Sequence, residues 1–120
     1  MSEIHYLVDE NTTHAIGDQL RRHQSDVVVL NVGDDLAPPL GASDPDILLW
    51  LERKGYCLIT RNRRSMPQHL RDHLAAGHHV PGIFTLRPRA SIGQIIDDLL
   101  LIWEASRPDE YRDQIVHIPF

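Results

Sequence analysis

Four consecutive apolar residues, Val27-Val28-Val29-Leu30, inside the segment Asp26 to Val32, constrain the fold more than any other feature of this chain. β-Branched residues are stiff at χ1 and favour extended backbone, and an unbroken apolar run leaves no polar face for water. Such a strand is expected to be covered on both faces, which implies a parallel sheet with helices against each side. The order of the other segments agrees. Tyr6-Leu7-Val8 is a short apolar run, followed by Asp9-Glu10-Asn11-Thr12, whose side chains suit the cap of a helix from Thr13 to His23. Gly33 to Ala42, with two glycines and two prolines, predicts a loop, and Ser43-Asp44-Pro45-Asp46 then opens a helix that Gly55 ends. Tyr56 to Thr60 reads as a third strand, and Ser65-Met66-Pro67 as the start of a helix that carries Leu70 and Leu74 and stops at Gly77. A fourth strand follows at Ile83 to Leu86. Ser91 caps a helix in which Ile92, Ile95, Ile96, Leu99, Leu100 and Trp103 keep helical spacing, and Ile115-Val116-His117-Ile118 can add a strand at a sheet edge. The expected architecture is a three-layer α/β fold with a central, mostly parallel sheet of four to five strands.

At 120 residues and 42% apolar, the chain can fill one core but hardly two, so residues 1–120 are expected to form one domain. The apolar stretch Ile95 to Trp103 is broken by Asp97 and Asp98, well short of the roughly 20 residues that cross a bilayer, so no membrane span is expected. The opening Met1-Ser2-Glu3 lacks the basic start and apolar stretch of a signal peptide, and the single Cys57, which allows no internal disulfide, sits in an apolar run as a small core residue. A cytoplasmic location is the expectation. The net charge of −5 argues against indiscriminate nucleic-acid binding, but the charges are segregated. Residues 1–50 hold nine acids against Arg21 and Arg22, and residues 51–90 hold eight bases against Glu52 and Asp72.

In a doubly wound sheet the ligand site lies beyond the carboxyl ends of the strands. The residues just past each strand are Asp9, Glu10 and Asn11; Asn31 with Asp34 and Asp35; Arg61, Asn62, Arg63 and Arg64; and Arg87 with Arg89. Asp44 and Asp46 open a helix at the same end. Carboxylates gathered there suit a hard cation such as Mg²⁺ or Mn²⁺, and arginines beside them would hold a phosphate. Each acid also has a plainer use. Asp9 to Thr12 can cap a helix, Asp44 and Asp46 can serve as cap and first-turn acids, and Asp34 and Asp35 read as solvated turn residues outside any site. His69, His73, His78 and His79 have no neighbouring cysteine and no His-Glu-x-x-His pattern, so they read as a solvated helix face rather than a zinc site.

The series Leu7-Val8-Asp9-Glu10-Asn11, Gly41-Ala42-Ser43-Asp44-Pro45-Asp46-Ile47-Leu48, Leu58-Ile59-Thr60-Arg61-Asn62 and Pro81-Gly82-Ile83, closing on Gln114-Ile115-Val116-His117-Ile118-Pro119, resembles the small single-domain PIN-like proteins related to VapC-type toxins. The resemblance spans nearly the whole chain and rests on the order and spacing of short motifs. It implies a metal-dependent endoribonuclease using Mg²⁺ or Mn²⁺, with RNA as substrate, an antitoxin protein as partner and a homodimer as a possible assembly. By position, Asp9, Asp44 and Asn62 would be the catalytic residues. Asp9 and Asp44 would hold the metal with Glu10 or Asp46 completing the set, and Arg61, Arg63, Arg64, Arg87 and Arg89 would bind RNA. Asn62 departs from the pattern, which places an aspartate after Thr-Arg, and a neutral amide weakens a cation site. A catalytically inactive nucleic-acid or protein binding module is therefore the alternative. A phosphoacceptor receiver domain shares the acids after the first strand but needs an aspartate ending the third strand and a lysine after the last, and this chain has neither.

Overall fold

Alternation within the strands decides which helix covers which face of the sheet. Extended backbone sends successive side chains to opposite sides. In β1 (Tyr6–Val8), β3 (Cys57–Thr60) and β4 (Ile83–Leu86), residues Tyr6, Val8, Cys57, Ile59, Phe84 and Leu86 fall on one side. They pack with Ile16 and Leu20 of α1 (Ala15–His23) and with Ile95, Ile96, Leu99 and Ile102 of α4 (Ile92–Ala105). The intervening Leu7, Leu58 and Ile83 pack on the other side with Ile47, Leu48 and Leu51 of α2 (Asp44–Lys54) and with Met66 and Leu70 of α3 (Met66–Ala75). Full burial of each of these leucines and isoleucines contributes about 1.5–3 kcal/mol, so the two helix pairs clamp the sheet from opposite faces.

β2 (Val29–Asn31) and β5 (Ile115–Ile118) complete a five-stranded sheet of order β2-β1-β3-β4-β5 in which every neighbouring pair is parallel. This is the three-layer α/β architecture expected from the sequence. The computed structural model describes residues 4–120, so the acidic opening Met1-Ser2-Glu3 lies outside the described residues. No helix among the described residues is long and apolar enough to cross a membrane.

Some details differ from expectation. The strand expected from Asp26 to Val32 is three residues long, and it lies at the sheet edge with Val28 38% exposed ahead of it. Its partner among the described residues, β1, also has three residues, so the parallel ladder runs from Val29 opposite Tyr6 to Asn31 opposite Val8. The strands buried along their whole length are β1, β3 and β4. The helix expected from Thr13 begins at Ala15, and His14 precedes it without a side-chain cap. Elsewhere the capping signals act as expected. Ser43 Oγ accepts from the Asp46 amide at 3.3 Å, Gly55 ends α2 at φ 76°, and Ser91 and Gln94 form a reciprocal capping box on α4. Cys57 is the core residue expected, and burial pushes its thiol up to about 12.

Candidate functional site at the carboxyl ends of the strands

Strand order fixes where a crevice can form. The chain leaves β1 for β2 on one side and returns as β3 on the other, so the connections diverge between the carboxyl ends of β1 and β3. Asp9 and Asn62 stand at these two ends. Asp9 is the residue after β1, and its amide donates to the Ile59 carbonyl at 2.9 Å, which ties the two strand ends together.

A polar chain crosses the crevice from there. Asp9 Oδ1 accepts from the Glu10 amide at 2.8 Å, and Asp9 Oδ2 accepts from Thr60 Oγ1 at 2.8 Å. The same Thr60 hydroxyl oxygen accepts from the Asn62 amide at 3.0 Å. The Asn62 side chain then donates through Nδ2 to Asp44 Oδ2 at 3.1 Å and to Ser65 Oγ at 2.7 Å, while its Oδ1 accepts from the Ser65 amide at 3.2 Å. His69 Nε2 completes the series, 3.4 Å from Asp44 Oδ2. The orientation of the Asn62 amide follows from its neighbours, because a carboxylate demands a donor and a backbone N–H demands an acceptor.

Asp9, Asp44 and Asn62 are thus brought together, as the sequence predicts. The wider acid set is not. Glu10 turns away to accept from the Gly41 amide at 2.6 Å, pinning the loop of residues 33–42, and Asp46 is exposed on the first turn of α2. Among the described residues no group of three or more His, Cys, Asp or Glu side chains is placed to hold a metal ion. Nor do Asp9 to Thr12 cap α1, since Asp9 and Glu10 are engaged as above and Thr12 Oγ1 is buried without a hydrogen-bond partner among the described residues. Asp34 serves its turn, accepting from the Asn31 amide at 2.7 Å.

Thr60, Ser65 and His69 carry weight that the sequence reading did not assign to them. Thr60 and Ser65 flank Asn62 in the segment from Thr60 to Ser65, and His69 lies one helical turn past Ser65 at the start of a helix that opens beside a strand's carboxyl end. Those placements are the signal that could have found them. The solvated-face reading of the histidines also needs correction, because His73 is 7% exposed, stacks on His78 and has its Nε2 3.1 Å from the His79 carbonyl oxygen.

The arginines behave differently from the acids. Arg61, Arg63 and Arg64 follow β3, and Arg87 and Arg89 follow β4, so all five lie on neighbouring loops at the same end of the sheet as Asp9 and Asp44. All five are exposed, and none forms an ion pair among the described residues. Only the Arg87 side chain is anchored, its Nε donating to the Pro119 carbonyl at 2.6 Å.

Comparison of the chain with protein-family models, with curated proteins and with solved structures gave no match. The donor set itself tests the fit of Mg²⁺ or Mn²⁺. These cations take oxygen lone pairs, yet the atom that Asn62 presents to Asp44 is an N–H donor, and its carbonyl oxygen is engaged by Ser65. The amide supplies the positive end of a dipole where a cation would supply charge. The residues as arranged do not fit a resident divalent ion.

Proposed function

We propose that this chain is a PIN-like RNA-binding domain whose acids brace the crevice while its arginines hold phosphate. The observation that carries this reading is the separation of partners at one end of the sheet. Asp9 and Asp44 are satisfied by hydroxyl, amide and imidazole groups, while Arg61, Arg63, Arg64, Arg87 and Arg89 have no carboxylate partner among the described residues. Guanidinium groups left unpaired beside carboxylates keep their full attraction for an external polyanion, and single-stranded RNA supplies one with accessible phosphates.

Binding of a fluorescent single-stranded RNA, followed by anisotropy without metal, tests the reading. Affinity is expected to fall with salt at a log–log slope of about −0.7 per phosphate contact, and replacing any one of the five arginines by alanine is expected to reduce the slope by about that amount. Absence of binding at low salt overturns it. The second reading, metal-dependent RNA cleavage, is favoured by the location of Asp9 and Asp44 at the crevice and requires the Asn62 amide to release Asp44 so that a cation can take its place. It predicts Mn²⁺-dependent products from the same RNA that disappear in Asp9→Asn, a substitution of nearly unchanged size.

A further inference from the structure

We infer that the cleft between the segments after β4 and β5 holds one unpaired base of a single-stranded RNA, stacked on Phe120, with the flanking phosphates on Arg87 and Arg89. This assigns a base contact where the RNA-binding reading assigns only phosphate contacts, and it rests on that reading for the strand.

Phe120 is the side chain without an explanation in the fold. Of the chain's two tryptophans, three tyrosines and two phenylalanines, all among the described residues, it alone is exposed, at 65%. Its backbone is nevertheless held. The Arg87 amide donates to the Ile118 carbonyl at 2.8 Å, Arg87 Nε donates to the Pro119 carbonyl at 2.6 Å, and the Phe120 amide donates to Asp98 Oδ2 at 2.8 Å. These bonds tie residues 118–120 to the end of β4 and to α4, so an accessible aromatic ring is carried on a fixed backbone.

The cleft has a volume of about 290 Å³, and Arg87, Arg89, Gln94, Pro119 and Phe120 line it. Drug-sized ligand pockets begin at roughly 300 Å³, so a single base is within its capacity. No acidic residue lines it, and neither arginine has a carboxylate partner among the described residues. Gln94 adds a directed group. Its Oε1 accepts from the Ser91 amide at 3.1 Å, which leaves its side-chain N–H groups to donate, and every base carries acceptors on its edges. An accessible ring with arginines beside it suits a single strand, in which each unpaired base offers a π-face and each link a phosphate, whereas a duplex keeps its base faces stacked. The cleft also lies on the line that the other arginines mark. β5 is two strands from β3, about 10 Å across the sheet, so a strand resting on Arg61, Arg63 and Arg64 reaches it.

The test measures binding of a short fluorescent single-stranded RNA by anisotropy over a salt series, alongside adenosine monophosphate followed by the side-chain amide NMR signal of Gln94. Phe120→Ala is expected to lower RNA affinity by on the order of tenfold while leaving the salt slope unchanged, because a stacked ring adds no phosphate contact. The melting temperature is expected to stay the same, since the ring is exposed. Phe120→Trp is expected to keep the parental affinity, and adenosine monophosphate to shift the Gln94 signal in the parent but not in Phe120→Ala. A Phe120→Ala protein that binds the strand as tightly as the parent overturns the stacking site while RNA binding still stands. A Phe120→Trp protein as weak as Phe120→Ala overturns it as well. Nucleotide binding that Phe120→Ala weakens, in a protein that does not bind the strand, upholds the cleft and removes the RNA reading instead. A protein that binds neither the strand nor the nucleotide overturns both.

Discussion

Asn62 holds two loops with one side chain, donating to Asp44 and to Ser65 Oγ while accepting from the Ser65 amide. Asn62→Asp exchanges a donor for a second carboxylate about 3 Å from the first, a distance set by the present 3.1 Å contact. Without metal the variant is expected to lose about 1–3 kcal/mol, read as a lower melting temperature. Millimolar Mn²⁺ is expected to restore that loss in the variant and to do little for the parent, because a cation is stabilising only where it binds the folded form. A variant as stable as the parent in metal-free buffer would show that residue 62 does not face Asp44. At this scale the sequence revealed which residues stand at strand ends but not which atoms they present. The letter at position 62 marks a missing charge, and only the positions of Asp44 and Ser65 turn that gap into a bridge. Thr60 and His69 stayed hidden for the same reason, since their partners Asp9 and Asp44 lie far from them along the chain.

The elements were most legible where local chemistry decides them. Ser91 and Gln94 of the α4 capping box satisfy each other's backbone amides at 3.2 and 3.1 Å, a pattern carried entirely by two residues three apart. Ser91→Ala is expected to cost about 1 kcal/mol in a denaturant titration, with little change in the slope of the transition. A shift of a few tenths or less would mean that packing alone fixes the helix start. Legibility failed where the outcome depends on neighbours. Val27 to Leu30 has the pattern of a central strand, yet its stretch ends the sheet, with a three-residue ladder to β1 on one side. The start of α1 was misplaced because Asp9 and Glu10, good capping residues by type, are claimed by Thr60 and Gly41 across the fold.

Across the whole molecule the opposite end of the sheet carries its own polar network, joining the segment before β4 to the segment before β5. Asp113, in the left-handed region at φ 62°, accepts from the Val80 amide at 2.8 Å and contacts His79 Nδ1 at 2.7 Å, while His78 Nδ1 lies 2.9 Å from Glu52. Burial alone would raise the Asp113 pKa, but the hydrogen bonds from His79 and Val80 and the charges of His79 and Arg112 hold it below its ordinary value. The Glu52 carboxyl is lowered too, chiefly by the hydrogen bond from the His79 amide. A folded-state pKa below the unfolded one adds stability that is complete above the unfolded value and is lost as pH falls through the folded one. The unfolding midpoint is therefore expected to drop on acidification below about pH 4, and Asp113→Asn is expected to flatten that drop. An unchanged acid profile in the variant would remove Asp113 from the balance.

No two neighbouring strands here are joined by a hairpin, because every parallel pair requires a crossover. During synthesis the first two strands emerge as an isolated pair, which is marginal in water, and the second flank of β1 stays bare until residues 57–60 have been made. The crevice is consequently a late product of the chain. A fragment ending before Cys57 lacks the Thr60 hydroxyl, the Asn62 bridge and the strand that holds Asp9 in place, so this site comes into being only once the third strand has been translated.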